Sequence, residues 1–479
     1  MTSPIFSWSI VLQLVIVGFA LLLGLLALIS IFSKYAPLQV NQADDTPPGS
    51  LGWPLVGKTL EYLKPHKSNS TGQFLQEHCS RYGRVFKSHL FGNPTIVSCD
   101  LELNTFILQN EGKLFASSYP KSVQSILGKL SMLLVSGEQH RKIRSTAVSH
   151  IGTSKSRPDF LRYIDKLSSS LTESWKERKR VPFFKEAKEF TLHVMLKNLL
   201  DMEPGDPIAP RILQDFLTFM EGFVSLPLYI PGSPYAKAVK ARTRISSTLR
   251  VIINERKTRK EGYSRGDFLD EILQKGHLDD EEEVSIVLDL LLAGYETTSG
   301  LIALVVYFLA QAPKALQQLK DEHRKLRGNK ADGEPLNFED YKQMEFTMNV
   351  INEALRCGNL VKFVHRRALK DVKFREYVIP AGWKVLPVIS APHLDPALHQ
   401  HPSVFNPWRW EDEATSKKVA PFGGGSRLCP GSDLAKLETA FFLHHFVLTY
   451  SWKIKEDECP VSHPYLEFKR GLLLEIEPL

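Results

Sequence analysis

The sequence predicts a mainly α protein, a helix-rich body with small β-sheets preceded by one N-terminal transmembrane helix. Three observations predict it. Ile10–Phe32 is apolar apart from Gln13, Ser30 and two glycines, long enough to cross about 30 Å of hydrocarbon as a helix. Beyond residue 60, apolar residues recur mostly at helical spacing. Alternating runs are few and no regular βα alternation or internal repeat exists, which excludes Rossmann and barrel architectures as the whole fold.

The N-terminal element reads as an anchor, residues 1–33. No charged side chain occurs from Met1 to Phe32, so the basic start of a cleaved signal peptide is missing. Lys34 follows the span and places the C-terminal mass in the cytosol by the positive-inside rule. Residues 34–60 read as a hinge, because Asp44–Pro54 holds three prolines and two glycines. Within it Gly52–Thr59 satisfies the pattern GxxxxGK[ST], yet no strand precedes it, and Trp53, Leu55 and Val56 suit apolar burial better than a phosphate nest.

Residues 61–479 form the expected catalytic body. With 43% hydrophobic and 24% charged residues over 479 positions, disordered, collagenous and disulfide-scaffold classes are excluded. Against 53 Asp plus Glu stand 60 Lys plus Arg, a formal +7 that suits an anionic membrane surface or an acidic protein partner. It does not imply nucleic acid. Five scattered cysteines form no CxxC pair and fit a reducing compartment.

Helices are expected near Thr71–Tyr82, Pro158–Lys179, Lys185–Leu200, Arg211–Val224 and Ala238–Lys260. Val85–Leu90 and Thr95–Ser98 read as a hairpin turning at Phe91–Pro94, and Lys373–Ile379 and Lys384–Val388 as strands flanking Pro380-Ala381-Gly382. The most informative helix starts at Leu278-Asp279-Asp280, where acidic residues cap its positive end, and runs to about Gln311. Leu301–Ala310 is apolar all round and must be enclosed. Just before it, Ala293-Gly294-Tyr295-Glu296-Thr297-Thr298 loosens the helix: Gly294 is a poor helix former, and the Thr297 hydroxyl can bond back to Ala293. A packing glycine beside a satisfied threonine is the bland explanation. A carboxylate next to a hydroxyl inside a buried helix favours function, since burying both is costly.

Near the C-terminal end lies Pro421–Gly431, followed by a helical run Asp433–Leu448. Its three glycines allow backbone to approach a flat ligand, and the helix start favours a thiolate at Cys429, which suits an anionic metal ligand. Arg427 can pair with a carboxylate of the same ligand.

Phe422, Gly425, Arg427, Cys429 and Gly431 match FxxGxRxCxG, and here the chain resembles the cytochrome P-450 haem-thiolate monooxygenases. The Ala293–Thr298 motif, an ExxR motif at Glu353 and Arg356, and Phe405–Trp410 agree in order and spacing. The resemblance implies the cytochrome P-450 fold and haem b with Cys429 as axial thiolate. It also implies a buried Glu353–Arg356–Arg409 network beneath the haem. Gly137–Arg144 resembles the helix that binds the haem propionates, which implies that role for Arg144 and for His140, standing where tryptophan is usual, with Arg366 as a third candidate.

Tyr62–Pro65, Phe106–Gly112, Lys384–Ser390 and Phe405–Trp410 are similar to plant steroid 22-hydroxylases of brassinosteroid synthesis. The resemblance implies electrons from NADPH through a separate flavoprotein reductase, cleavage of O₂, and steroid side-chain hydroxylation at C-22. It further implies a single-pass protein of the endoplasmic reticulum membrane with a cytosolic catalytic domain. Glu296 and Thr297 would move protons and hydrogen-bond the oxygen. Leu292, Ala293, the Ser118–Leu134 loop, and Val361 to Val364 would contact the steroid. Arg141, Lys142, Lys417 and Lys418 would steer an acidic reductase. Three alternatives stay open: a haem-thiolate enzyme acting on another lipid or terpenoid, an isomerase or dehydratase needing no O₂, and a non-catalytic membrane-tethered sterol-binding protein.

Overall fold

Segments with one apolar face must cover that face, and in this chain they cover it against a single long helix. The computed structural model describes residues 15, 17–27, 45–52, 57–225, 229–258, 265–455, 457–462 and 466–479. The elements that position the site are, in chain order, α1 (Gln73–Tyr82), β1 (Val85–Leu90), β2 (Asn93–Ser98), α2 (Leu101–Gln109), β3 (Phe115–Ser117), α3 (Gly137–Ser154) and α4 (Pro158–Glu173). There follow α5 (Phe183–Leu200), α6 (Pro234–Lys257), α7 (Asp280–Ala310), α8 (Glu345–Gly358), β4 (Arg366–Ala368), β5 (Lys384–Pro387) and α9 (Ser432–Thr449).

Helix α7 starts as its acidic residues predict. Asp279 accepts from the Glu282 amide at 2.8 Å and Glu282 accepts from the Asp279 amide at 3.1 Å, a capping box. By length and composition α7 could cross a membrane, yet 67% of its most apolar window is buried inside the protein. It is the core helix, packed chiefly on α5, α8 and α9. Only Val15 and Val17–Ala27 of the expected anchor are described, and Val17–Ala27 is an apolar helix with exposed side chains. The rest of that segment lies outside the described residues. Within the expected hinge, residues 45–49 are tied to the body: the Val378 amide donates to Asp45 O at 2.8 Å and the Lys87 amide to Pro48 O at 2.8 Å.

The main sheet has the order β1-β2-β5-β4-β3, with β2 and β5 parallel and the other neighbours antiparallel. Its first hairpin turns more tightly than the sequence predicts. Phe91 (φ 52°) and Gly92 (φ 74°) alone make the turn, the left-handed pair that matches strand twist, so Asn93 and Pro94 join β2. Pro94 is tolerated because pairing with β5 begins only at Thr95, where Lys384 lies opposite. Lys373–Ile379 is likewise not one strand. It breaks at Arg375 (φ 51°) into a hairpin of Val372–Phe374 and Tyr377–Ile379. Two helix ends also differ. Helix α4 stops at Glu173, where the chain turns to bury Trp175 completely, and α6 begins at Pro234, capped by Ser233.

Candidate active site

The cysteine loop is held from two sides. Within it, the Cys429 amide donates to Phe422 O at 3.0 Å, and Gly423 and Gly425 take φ values of 74° and 64°. A Cβ on Gly425 would lie 1.9 Å from Leu108 O at the end of α2, so protein packing requires glycine there. The Cys429 thiol is half-buried, and burial pushes it up; the Gly431 amide and the Arg144 guanidinium draw it down but do not outweigh burial.

Beside the loop a cationic cluster converges. Arg427 Nε lies 2.8 Å and Arg366 Nε 2.6 Å from the two carboxylate oxygens of Glu111. Arg427 also donates to Met132 O at 2.9 Å and Val135 O at 2.6 Å, while Arg144 donates to Leu428 O. His140 is buried among Arg427, Arg144, Glu111 and Arg366, and burial followed by the guanidiniums holds its ring down to about 4, so it stays neutral. Arg366 and Arg427 share one carboxylate, Glu111, and Arg144 holds only a carbonyl, so three guanidiniums around His140 stand against one acid, a surplus of two positive charges that a dianion such as the two haem propionates would balance. With one cysteine at its edge this donor set fits haem b. Cys429 would hold the iron, and Arg144, Arg366, Arg427 and His140 would hold the propionates.

On α7 the burial pattern marks a hollow. Val284–Leu291 and Thr298–Val306 are buried, whereas Ala293 and Thr297, one turn apart, are exposed and Leu292 is half-buried. A mid-core helix exposes such a patch only to an internal space. The Thr297 hydroxyl donates to Ala293 O at 2.5 Å. Gly294 has a packing reason: a Cβ there would lie 2.3 Å from Met195 Sδ on α5. Glu296 points to the same seam, where Lys188 Nζ lies 3.1 Å from its carboxylate. The structure thus brings Thr297 to the hollow and ties Glu296 to α5. Val361 is 44% exposed and Val364 half-buried.

Glu353 and Arg356, one turn apart on α8, are fully buried and paired in a fork, Nε to Oε2 at 2.9 Å and Nη2 to Oε1 at 2.7 Å. Arg409 Nε (3.2 Å), the Asn406 amide (2.9 Å) and Trp410 Nε1 (2.9 Å) complete the Glu353 carboxylate. Burial alone would raise this carboxyl, but Arg356 and the other donors hold it below the usual range. Arg356 also donates to His393 O at 2.7 Å and Pro402 O at 2.8 Å, fixing the strap before the cysteine loop. Lys142, expected to steer a partner, is instead paired with Glu282 at 2.6 Å; Arg141 and Lys417 are exposed. Thr59, of the phosphate-loop pattern, is engaged by the Phe91 amide at 2.8 Å.

Sequence reasoning missed Glu111, Lys188, Met195, Trp410 and Asp289. Asp289 Oδ2 accepts from the Met132 amide at 2.6 Å and so fixes the loop whose carbonyls Arg427 also grips. Its signal was legible, since a lone carboxylate interrupts the apolar run Val284–Ala293.

The profile of the Cytochrome P450 family matches residues 47–478. The chain is 55% identical over 477 residues to Cytochrome P450 724B1 of Oryza sativa subsp. japonica, covering 98% of both chains. It is 45% identical over 441 residues to Cholesterol 22-monohydroxylase CYP90B52 of Paris polyphylla, covering 90% of this chain and 93% of that one. Steroid (22S)-hydroxylase of Oryza sativa subsp. japonica is 43% identical over 442 residues, 90% of this chain and 87% of its own. Among solved structures, retinoic acid-bound cyanobacterial CYP120A1 superposes with a TM-score of 0.80 at 26% identity, covering 91% of this chain and 100% of that one.

Proposed function

Since the chain belongs to the cytochrome P450 family and is a monooxygenase of that family, we propose that it hydroxylates a steroid side chain at C-22. The observation that carries this reading is the extent of the likeness to a cholesterol 22-monohydroxylase, 45% identity over 441 residues. Bound haem would supply activation of O₂ and oxygen insertion into an unactivated C–H bond, with electrons from NADPH through a flavoprotein reductase. The chain's own residues do the rest. Cys429 anchors the cofactor, and the Arg144, Arg366, Arg427 and His140 cluster sets its orientation. Leu292, Ala293, Val361 and Val364 offer apolar surface to a rigid, nearly uncharged steroid body. Thr297 holds a hydroxyl at the hollow, and Glu296, released from Lys188, relays a proton toward it.

The anchor 1–33 would hold the body at the endoplasmic reticulum membrane, where a lipid-dissolved substrate is concentrated, with the catalytic domain in the cytosol. Asn69-Ser70-Thr71 tests topology, because a glycan there would place the body in the lumen. Incubation with reductase, NADPH and a sterol panel, followed by mass spectrometry and NMR, should yield a product hydroxylated at C-22; oxygen found solely at other positions would overturn the assignment. Reduced protein under carbon monoxide should show thiolate-ligated haem absorption, lost in Cys429→Ala.

A further inference from the structure

Away from the cysteine loop, a cavity of about 330 Å³ opens between the N-terminal segment and the loop that follows α8. That is the lower end of small-molecule pockets, about 300–1,000 Å³. Its walls are of two kinds. Tyr62, Phe74 and Phe363 form an aromatic side, with Tyr62 centroids 5.5 Å from Phe74 and 5.3 Å from Phe363. Lys362 and His66 also line it.

Lys362 is only 8% exposed, yet among the described residues no carboxylate lies within ion-pair distance of it. Its ammonium lies 3.2 and 3.3 Å from the two ring nitrogens of His66 and donates to Ser70 O at 3.2 Å. His66 Nδ1 is 3.0 Å from Lys67 O, which leaves its other nitrogen to face the lysine. Gly72 makes room for the ring, since a Cβ there would lie 2.8 Å from His66 Cδ2. The acidic wall residues are already engaged, Glu61 with Lys58 at 3.7 Å and Glu77 with Gln73 at 2.7 Å. Burial alone draws the Lys362 ammonium down to about 7. A buried cation without an acid partner is expensive unless an anion joins it.

We propose that this cavity is a second binding site, for an anionic amphipath whose carboxylate, sulfate or phosphate headgroup pairs with Lys362 while its apolar part lies against Tyr62, Phe74 and Phe363. The ligand class differs from a nearly uncharged steroid, so the site stands independently of the C-22 reading.

The test is calorimetric titration of the full chain in zwitterionic nanodiscs, with empty discs subtracted, using dodecanoate, 1-dodecanol and inorganic sulfate. Dodecanoate should bind saturably at one site, about tenfold weaker in Lys362→Met and restored in Lys362→Arg. Equal binding of dodecanoate to wild type and Lys362→Met, or of dodecanol and dodecanoate to wild type, overturns the proposal. Sulfate binding as tightly as dodecanoate would make the site one for a free anion and overturn the amphipath. Dodecanoate should also protect Lys362 of the wild-type chain from acetic anhydride, read by peptide mass spectrometry; undiminished acetylation overturns the proposal without relying on any variant.

Discussion

Glu353 shows how much one side chain can organise. Five donors from Arg356, Arg409, Asn406 and Trp410 converge on its two oxygens. Glu353→Ala should destabilise the protein by about 3–5 kcal/mol, because two buried guanidiniums lose their acid. Denaturant unfolding of the loaded protein checks this, and a loss below about 1 kcal/mol would mean that water replaces the carboxylate. Asp289 gives a pH signature. Burial raises its carboxyl to about 7, with the Met132 amide, Ser131 and Arg242 only partly countering. A raised folded value means that the folded state holds the proton more tightly, so this contribution to stability is full at acid pH and disappears as pH rises through about 7. Thermal midpoints of wild type relative to Asp289→Asn should fall between about pH 4 and about pH 7; parallel curves would show that the carboxyl is not perturbed.

Among elements, the α5–α7 seam decides where the hollow lies. Gly294 lets Met195 reach the α7 backbone, and Lys188 draws Glu296 to the same side, leaving Ala293 and Thr297 facing the open space. Helix propensity alone says that Gly294→Ala stabilises by about 1 kcal/mol. Overpacking against Met195 says that it destabilises by about 1–3 kcal/mol, and the 2.3 Å approach favours the second. A double-mutant cycle with Met195→Ala should recover most of the loss, since residues in contact are non-additive. If Gly294→Ala is stabilising by itself, the seam is looser than the structure has it.

For the whole molecule, the question is where the anchor ends and the body begins. Residues 45–49 hydrogen-bond to Val378 and Lys87, and Lys58 to His89. A chain beginning at residue 34 should unfold at the wild-type temperature, whereas one beginning at residue 61 should unfold several degrees lower, about the effect of 1–2 kcal/mol. Equal midpoints in a thermal scan would make 45–60 a true hinge.

What could be read along the chain were features whose partners lie within a few residues: the capping box of Asp279 and Glu282, the Val85–Ser98 hairpin, the glycine loop around Cys429, and the Glu353–Arg356 spacing. Each is closed by local backbone geometry, so residue order suffices to indicate it. Contacts across the chain could not be read so. Glu111 meets Arg427 across 316 residues, Met132 meets Asp289 across 157, and the bond of Phe91 with Thr59 and the close packing of Gly425 on Leu108 depend on how sheet and helices stack. The sequence by itself determined the kind of chemistry, a cysteine ligand with a cationic cradle. The tertiary structure alone decided which carboxylate neutralises which arginine, which face of α7 stays open, and that Cys429 is half-buried, because charge pairing and burial are properties of packed space and not of chain order.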